Sequence, residues 1–154
     1  MVDKGVIEKV SWSIALPGFG QLLNGRHIKG IILILLELWV NIQGNLNKVI
    51  LLSFFGEIEK AIQLADYQWL LFYPCLYLFA IWDAYKDAGG GRAPFAFLPF
   101  VFSAFFMTLG SIYSPTLTLF GKLVGPIWLP ILSVIPGLLV GFLLQAYIRK
   151  KLNM

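Results

Sequence analysis

Glu37 is the ionisable side chain whose position most favours chemistry inside a membrane. It lies in the apolar run of residues 28–44, and Asn41 follows one helical turn later. An ionised carboxyl in lipid is costly, so such a residue usually faces the interior of a helix bundle. No Lys or Arg lies at matching depth in the other apolar runs. We therefore expect Glu37 to be protonated, or hydrogen-bonded to Asn41 or to a neighbouring helix.

Three interpretations of Glu37 are open. The carboxyl can handle a proton or a cation, or it can form a structural hydrogen bond between helices. If the helix enters the membrane later than residue 28, Glu37 instead lies near water. Gln145, in the last turns of the final apolar run, is a further polar candidate within the membrane.

Other residues that carry chemistry are sparse. His27 is the single histidine and Cys75 the single cysteine, so the sequence predicts neither a metal site nor an intrachain disulfide. No nucleophile, histidine and acid can be assembled into a triad. We expect no catalytic residue, no metal and no cofactor, and hence a protein that is not an enzyme.

The composition is typical of a membrane protein. Hydrophobic residues make up 58% of the 154 residues and charged residues 13%, with a mean hydropathy of +0.79. Residues 93–121 and 123–148 contain no charged side chain. About 20 apolar residues cross the hydrocarbon core as a helix, and spanning segments must satisfy their own backbone hydrogen bonds. The sequence therefore predicts an all-α polytopic protein, located in the cell membrane.

The predicted elements are about four transmembrane helices and a short, broken N-terminal membrane helix. The broken helix covers residues 10–23 and is re-entrant or interfacial, since Pro17 disfavours a straight helix. Residues 49–65 form either an amphipathic helix in the interface or an ordinary packed loop helix. Three regions follow, 1–88, a Gly-rich linker at 89–94, and a C-terminal two-helix hairpin at 95–154. The predicted spans are residues 28–44, 67–85, 95–113 and 125–148.

The distribution of Lys and Arg predicts the orientation. If residues 10–23 do not cross, nine of the twelve basic residues lie on one side, and Lys48, Lys60 and Lys122 lie on the other. If they cross, the division is seven against five. Cytoplasmic loops carry the excess of positive charge, so both termini are predicted to be cytoplasmic. The basic residues 149–151 are then suited to contact anionic headgroups of the bilayer, and nothing indicates nucleic-acid binding.

Residues 16–30, LPGFGQLLNGRHIKG, combine glycines with two basic side chains before the first span. Arg26 and Lys29 are expected at the same surface as Asp83 and Asp87, where ion pairs can hold two helices together. Small residues allow membrane helices to approach closely. The glycines proposed as helix-packing positions are Gly18, Gly20, Gly25, Gly30, Gly137 and Gly141.

These motifs resemble those of small prokaryotic multi-pass membrane proteins related to the TM2-domain family. Such proteins combine a Pro-Gly-x-Gly-Gln…Gly…Lys-Gly segment with Asp-Ala-Tyr at the end of the next span. The resemblance covers residues 10–88 and implies a helical hairpin in the membrane, with no implied catalytic activity. The matching residues are Pro17, Gly18, Gly20, Gln21, Gly25, Lys29, Gly30, Asp83, Ala84 and Tyr85.

The leading functional hypothesis is a structural or accessory protein that acts through helix packing with itself or with a membrane protein partner. The first alternative is a small transporter or channel component that uses Glu37 and Asn41. The second alternative is a membrane-embedded enzyme that modifies lipid.

Overall fold

The computed structural model of the chain describes residues 4–152. The predicted cytoplasmic placement of residues 1–3 and 153–154 lies outside the described residues. Within the described part, the protein consists of nine α-helices and one two-stranded β-hairpin. The prediction of an all-helical fold is confirmed.

The N-terminal segment folds back on itself at Pro17-Gly18. Helix α1 (Lys4–Ala15) begins earlier than predicted, and helix α2 (Phe19–Leu23) follows the break. Gly18 has φ +105°, a conformation that glycine adopts without strain. A Cβ on Gly20 would strike the Ser13 side chain and the Lys9 carbonyl, so α2 lies against α1. The segment is therefore a helical hairpin and not one straight rod.

Helix α3 (His27–Gln43) matches the first predicted span closely. Asn45, with φ +54°, ends it, and helix α4 (Leu46–Phe54) departs at an angle of 65°. Asparagine is among the few residues that tolerate this left-handed conformation, which explains the sharp bend.

Residues 49–65 do not form the single amphipathic helix that was one of the two alternatives. Gly56, with φ +77°, separates α4 from helix α5 (Ile58–Leu64). Helix α6 (Tyr67–Leu70) begins after Asp66, whose carboxylate accepts a hydrogen bond from the Gln68 amide at 3.0 Å. This capping bond satisfies one free amide at the start of the helix.

The predicted span of residues 67–85 is interrupted near its start. Residues 71–72 form a turn between α6 and helix α7 (Tyr73–Asp87), whose first turn contains Pro74. Proline is suited to this position because the first amides of a helix have no partner within it.

The C-terminal half is an antiparallel pair of helices. Helix α8 (Leu98–Tyr113) begins three residues later than predicted, and helix α9 (Gly125–Lys151) is the longest in the chain. Between them lies a hairpin of strands β1 (Thr118–Leu119) and β2 (Lys122–Leu123), where a simple loop was predicted. Phe120 and Gly121 both have positive φ, the backbone pattern of a tight hairpin turn.

Aromatic rings bridge the predicted linker at residues 89–94. A Cβ on Gly90 would strike the Tyr85 ring, and one on Gly91 would lie 2.7 Å from the Trp82 ring. The Phe100 ring lies 5.3 Å from that of Trp82 between centroids. The linker is therefore packed against the end of α7.

The buried apolar core lies at the opposite end of the bundle from these rings. The Trp128 indole donates to the Ser53 carbonyl at 3.2 Å, which ties α4 to the start of α9. Helices α4, α5 and α6 pack together against the first turns of α9. The buried members of this core are Leu46, Val49, Ala61, Leu70 and Ile127.

One helix, α9, is long and apolar enough to cross a membrane. Two bent pairs, α3 with α4 and α5 with the segment Tyr67–Asp87, pass the same test if each pair is counted as one span. Helix α8 is apolar but shorter. The described residues thus contain one such helix, or up to three.

Candidate functional site

Gln21 is the central residue of the site that the glycine-rich motif builds. Its side chain is fully buried between α1, α2 and α7. Its amide nitrogen donates to the Ala80 carbonyl at 2.8 Å and to Asp83 Oδ2 at 3.1 Å. Its amide oxygen accepts from the Ser13 hydroxyl at 3.4 Å. One side chain therefore connects the N-terminal hairpin to α7.

Charged residues surround this buried amide at the surface. The Lys29 ammonium lies 2.7 Å from Asp83 Oδ1 and 3.1 Å from Asp87 Oδ2. Arg26 Nε lies 3.4 Å from the same Asp87 oxygen. The structure thus brings together the four residues proposed to pair. Both cations are at least half exposed, whereas the carboxylates are mostly shielded.

Asn24 completes the contact. Its amide nitrogen donates to the Ala84 carbonyl at 2.9 Å. The Ala84 carbonyl also accepts a hydrogen bond from the Ala88 amide at 3.0 Å, so Asn24 is a second donor to it. The motif therefore docks onto the C-terminal half of α7 through side chains of Gln21, Asn24 and Lys29.

Five of the six proposed packing glycines lie at close backbone contacts. A Cβ on Gly18 would lie 2.5 Å from the Gly30 carbonyl oxygen, and one on Gly30 would strike Leu22. A Cβ on Gly137 would lie 2.6 Å from Ser103 Cα, and one on Gly141 would strike Pro99 Cα. The fifth, Gly20, lies against α1 as described above. Glycine at these positions lets the helices approach to within backbone contact.

Gly25 is the exception, and its assignment as a packing residue was wrong. No atom lies within 4 Å of the position that a Cβ would occupy. Its φ of +73° places it in the turn between α2 and α3, where glycine is needed for its backbone conformation.

Glu37 is buried, with 5% of its surface exposed. Tyr73 on α7 neighbours its carboxyl group, and the buried oxygen Oε2 has no hydrogen-bond partner. The interpretation that placed Glu37 near water is therefore wrong. The Asn41 amide donates to Asn47 Oδ1 at 3.0 Å, and no hydrogen bond between Asn41 and Glu37 is found within the described residues.

Gln145 lies at the far end of α9 from the core. Its amide nitrogen donates to the Pro94 carbonyl at 3.0 Å, in an exposed position. It therefore ties α9 to the linker at residues 89–94 and does not line the interior.

A cavity of about 230 Å³ lies beside the Glu37–Tyr73 pair, and Tyr73 and Tyr77 form part of its wall. The rings of these two tyrosines are stacked, with centroids 5.6 Å apart. The Tyr77 hydroxyl donates to the Ile14 carbonyl at 2.7 Å, so the end of α1 reaches the middle of α7.

Sequence reasoning missed Ser13, Asn24, Tyr73 and Tyr77 as site residues. Ser13 and Asn24 are polar side chains on either side of the Pro-Gly break, and their position in an apolar segment could have marked them as site residues. For the tyrosines there was no signal, because tyrosine is common at membrane interfaces and nothing in their spacing points toward Glu37.

No three His, Cys, Asp or Glu side chains within residues 4–152 are arranged to hold a metal ion. Comparison with known proteins finds no matching family model, no similar curated protein and no similar solved structure. The resemblance to TM2-related proteins stays a prediction.

Proposed function

We propose that the chain is a multi-pass integral membrane protein without catalytic activity, which acts by packing α9 against a second copy or a membrane protein partner. The observation that carries this proposal is the exposed apolar face of α9. In its most apolar window of 18 residues, only 17% are buried. Helix α8 covers the face with Gly137 and Gly141, and the opposite face has no partner among the described residues.

The exposed face follows a regular stripe. Its members are spaced by four residues, so neighbours touch and the row winds by about 40° per step across the face opposite Gly137 and Gly141. This spacing is suited to contact with another membrane helix. The stripe consists of Ile131, Ile135, Leu139, Leu143 and Tyr147, all of them exposed.

The proposed topology has both ends of the described chain on the cytoplasmic side. The Gly20 contacts support a re-entrant N-terminal hairpin, because they bring α2 back beside the Lys9 turn of α1. With that hairpin, nine of the twelve basic residues lie on one side, as the positive-inside rule requires.

Site-directed cross-linking tests the packing proposal. In a Cys75→Ser background, single cysteines at Ile135, Leu139 and Leu143 are oxidised or treated with a bifunctional maleimide in native membranes. We expect cross-linked products of one defined mass from these positions. A cysteine at Val101, an exposed residue of α8, is the matched control and should give none. If the stripe gives no product, or if Val101 reacts equally, the packing proposal fails.

The second candidate function, a small transporter or channel component, is favoured by one observation. Glu37 is buried and one of its oxygens has no hydrogen-bond partner. Asn41 no longer belongs to this proposal, since it bonds to Asn47. Flux assays with reconstituted protein and Glu37→Gln test it, and unchanged flux in the variant would exclude the role of Glu37.

A further inference from the structure

An apolar groove runs between α7 and α8. Helix α7 contributes Cys75 and Trp82 to its wall, and α8 contributes Phe97 and Thr108. The described residues that line it carry no charge, and the Thr108 hydroxyl donates to the Ala104 carbonyl of its own helix at 2.9 Å. Its volume is about 480 Å³, whereas a cavity of about 150 Å³ already holds a benzene molecule. The groove therefore has room for a long hydrocarbon chain.

The length of the groove matches the depth of one leaflet of the bilayer. Its α7 wall runs from Trp82 to Cys75, a rise of about 10 Å, and its α8 wall runs from Phe97 to Thr108, a rise of about 16 Å. Half of the hydrocarbon core is about 15 Å thick. Phe105, which also lines the groove, is more than half exposed, so the groove is open at the surface of the bundle. An acyl chain of the surrounding bilayer can therefore lie in it.

A lysine without an ion-pair partner lies at one end of this groove. Lys86 follows Trp82 by one turn of α7, so the two side chains leave the same face of the helix. The adjacent face carries Asp83 and Asp87, and both of these carboxylates contact Lys29. Lys86 is exposed, and no carboxylate pairs with it within residues 4–152. Its charge is therefore free to bind an anion.

The linker supplies a second cation at the same end. A Cβ on Gly91 would lie 2.7 Å from the Trp82 ring, so Arg92, the next residue, is held close to the end of the groove. Arg92 is exposed and, like Lys86, has no carboxylate partner in the described part of the chain. In the proposed topology both cations face the cytoplasmic leaflet, which contains anionic lipids. Basic pockets between membrane helices on this side bind the headgroups of such lipids.

We propose that the groove between α7 and α8 binds one anionic phospholipid, with an acyl chain against Trp82 and Phe97 and with the headgroup held by Lys86 and Arg92. A zwitterionic headgroup would add its own ammonium beside these two cations, so the charge of the site favours a lipid with net negative charge. The inference rests on the proposed membrane location. It goes beyond helix packing, because it requires no contact of α9 with a partner.

Native mass spectrometry of the delipidated full chain in detergent tests the selection of the headgroup. Dioleoylphosphatidylglycerol and dioleoylphosphatidylcholine have the same chains and differ in net charge. We expect one phosphatidylglycerol per chain, bound at least about tenfold more tightly than phosphatidylcholine. The double variant Lys86→Gln/Arg92→Gln should lose most of this preference. The matched control Lys48→Gln/Lys122→Gln neutralises two exposed lysines of the opposite side and should keep it.

The reactivity of Cys75 tests the location of the lipid. Cys75 is exposed, lines the groove and is the single cysteine of the chain, so its reaction with N-ethylmaleimide reports on occupancy. Phosphatidylglycerol should slow this reaction more than the same concentration of phosphatidylcholine does. Ala104→Trp fills the groove and should abolish lipid binding, whereas Leu35→Trp, on the exposed face of α3, should not.

Four results would overturn the proposal. These are equal affinity of the wild-type protein for the two lipids, an unchanged preference in Lys86→Gln/Arg92→Gln, an equal loss of preference in the Lys48→Gln/Lys122→Gln control, and lipid binding that leaves Cys75 fully reactive. The comparison of the two lipids uses the wild-type protein, so it remains decisive even if a variant fails to fold. Cross-linking at α9 is measured separately, so failure of the packing proposal is distinguishable from failure of the lipid site.

Discussion

The Lys29 ammonium lies 2.7 Å from Asp83 Oδ1, although 54 residues separate the two in the sequence. Asp83 also accepts a hydrogen bond from the buried Gln21 through its other oxygen. One carboxylate at the end of α7 therefore holds α2 and α3 at once. The glycine-rich motif therefore docks the N-terminal hairpin onto α7.

Exchange of the two charges tests this docking. Lys29→Glu and Asp83→Lys should each lower the free energy of unfolding, and the double variant should recover part of the loss. Because Lys29 is half exposed, we expect a coupling energy of about 0.2–1 kcal/mol that shrinks at high salt. Thermal unfolding in detergent measures it. As a control, Lys48→Glu, at an exposed position of α4, should not be rescued by Asp83→Lys. Strictly additive effects for residues 29 and 83 would argue against the pair.

Gln21→Leu should destabilise the fold more than the charge exchange does. The substitution removes the partner of the buried Ser13 hydroxyl, and it removes the side-chain donor to the Ala80 carbonyl and Asp83. A buried polar group costs about 1–3 kcal/mol when it is unsatisfied. The same change at the exposed Gln63 is the control and should have little effect on the unfolding temperature. Equal stability of the two variants would show that Gln21 does not carry the contact.

The two classes of glycine should respond differently to substitution. Gly141→Leu places a side chain into the Pro99 backbone, so we expect a loss of about 1–3 kcal/mol or more as α8 and α9 separate. Gly25→Asn should be tolerated, because the position is open and asparagine accepts a positive φ. Unfolding curves in detergent compare the two. A larger loss at Gly25 would reverse the assignment.

Cysteine accessibility tests the proposed topology. In a Cys75→Ser background, cysteines in place of Phe120 and Lys48 should react with a membrane-impermeant maleimide added to intact cells. Cysteines in place of Arg92 and Lys9 should react only after the membrane is permeabilised. If Lys9→Cys is labelled from outside while Arg92→Cys is not, the N-terminal hairpin crosses the membrane and is not re-entrant.

Much of the helical architecture could be predicted from the sequence, because it depends on local properties. The apolar run after His27 and the long uncharged stretch before Arg149 are read directly from residue type, and α3 and α9 match them. The breaks were harder to predict. Asn45 and Gly56 end helices through positive φ, a conformation that many asparagines and glycines in other helices do not adopt.

For the site, the sequence by itself determined which residues carry charge and where the small residues lie. It indicated that Lys29 and Arg26 share a surface with Asp83 and Asp87, since each pair flanks an apolar run at a predictable depth. It singled out Glu37 by the cost of a carboxyl in such a run. Only the tertiary structure decided that Glu37 meets Tyr73 and not Asn41, and that a cavity lies behind the tyrosine. Those contacts depend on how α3 rotates against α7 and on how far α1 reaches into the bundle, and both are set by side-chain packing between distant segments.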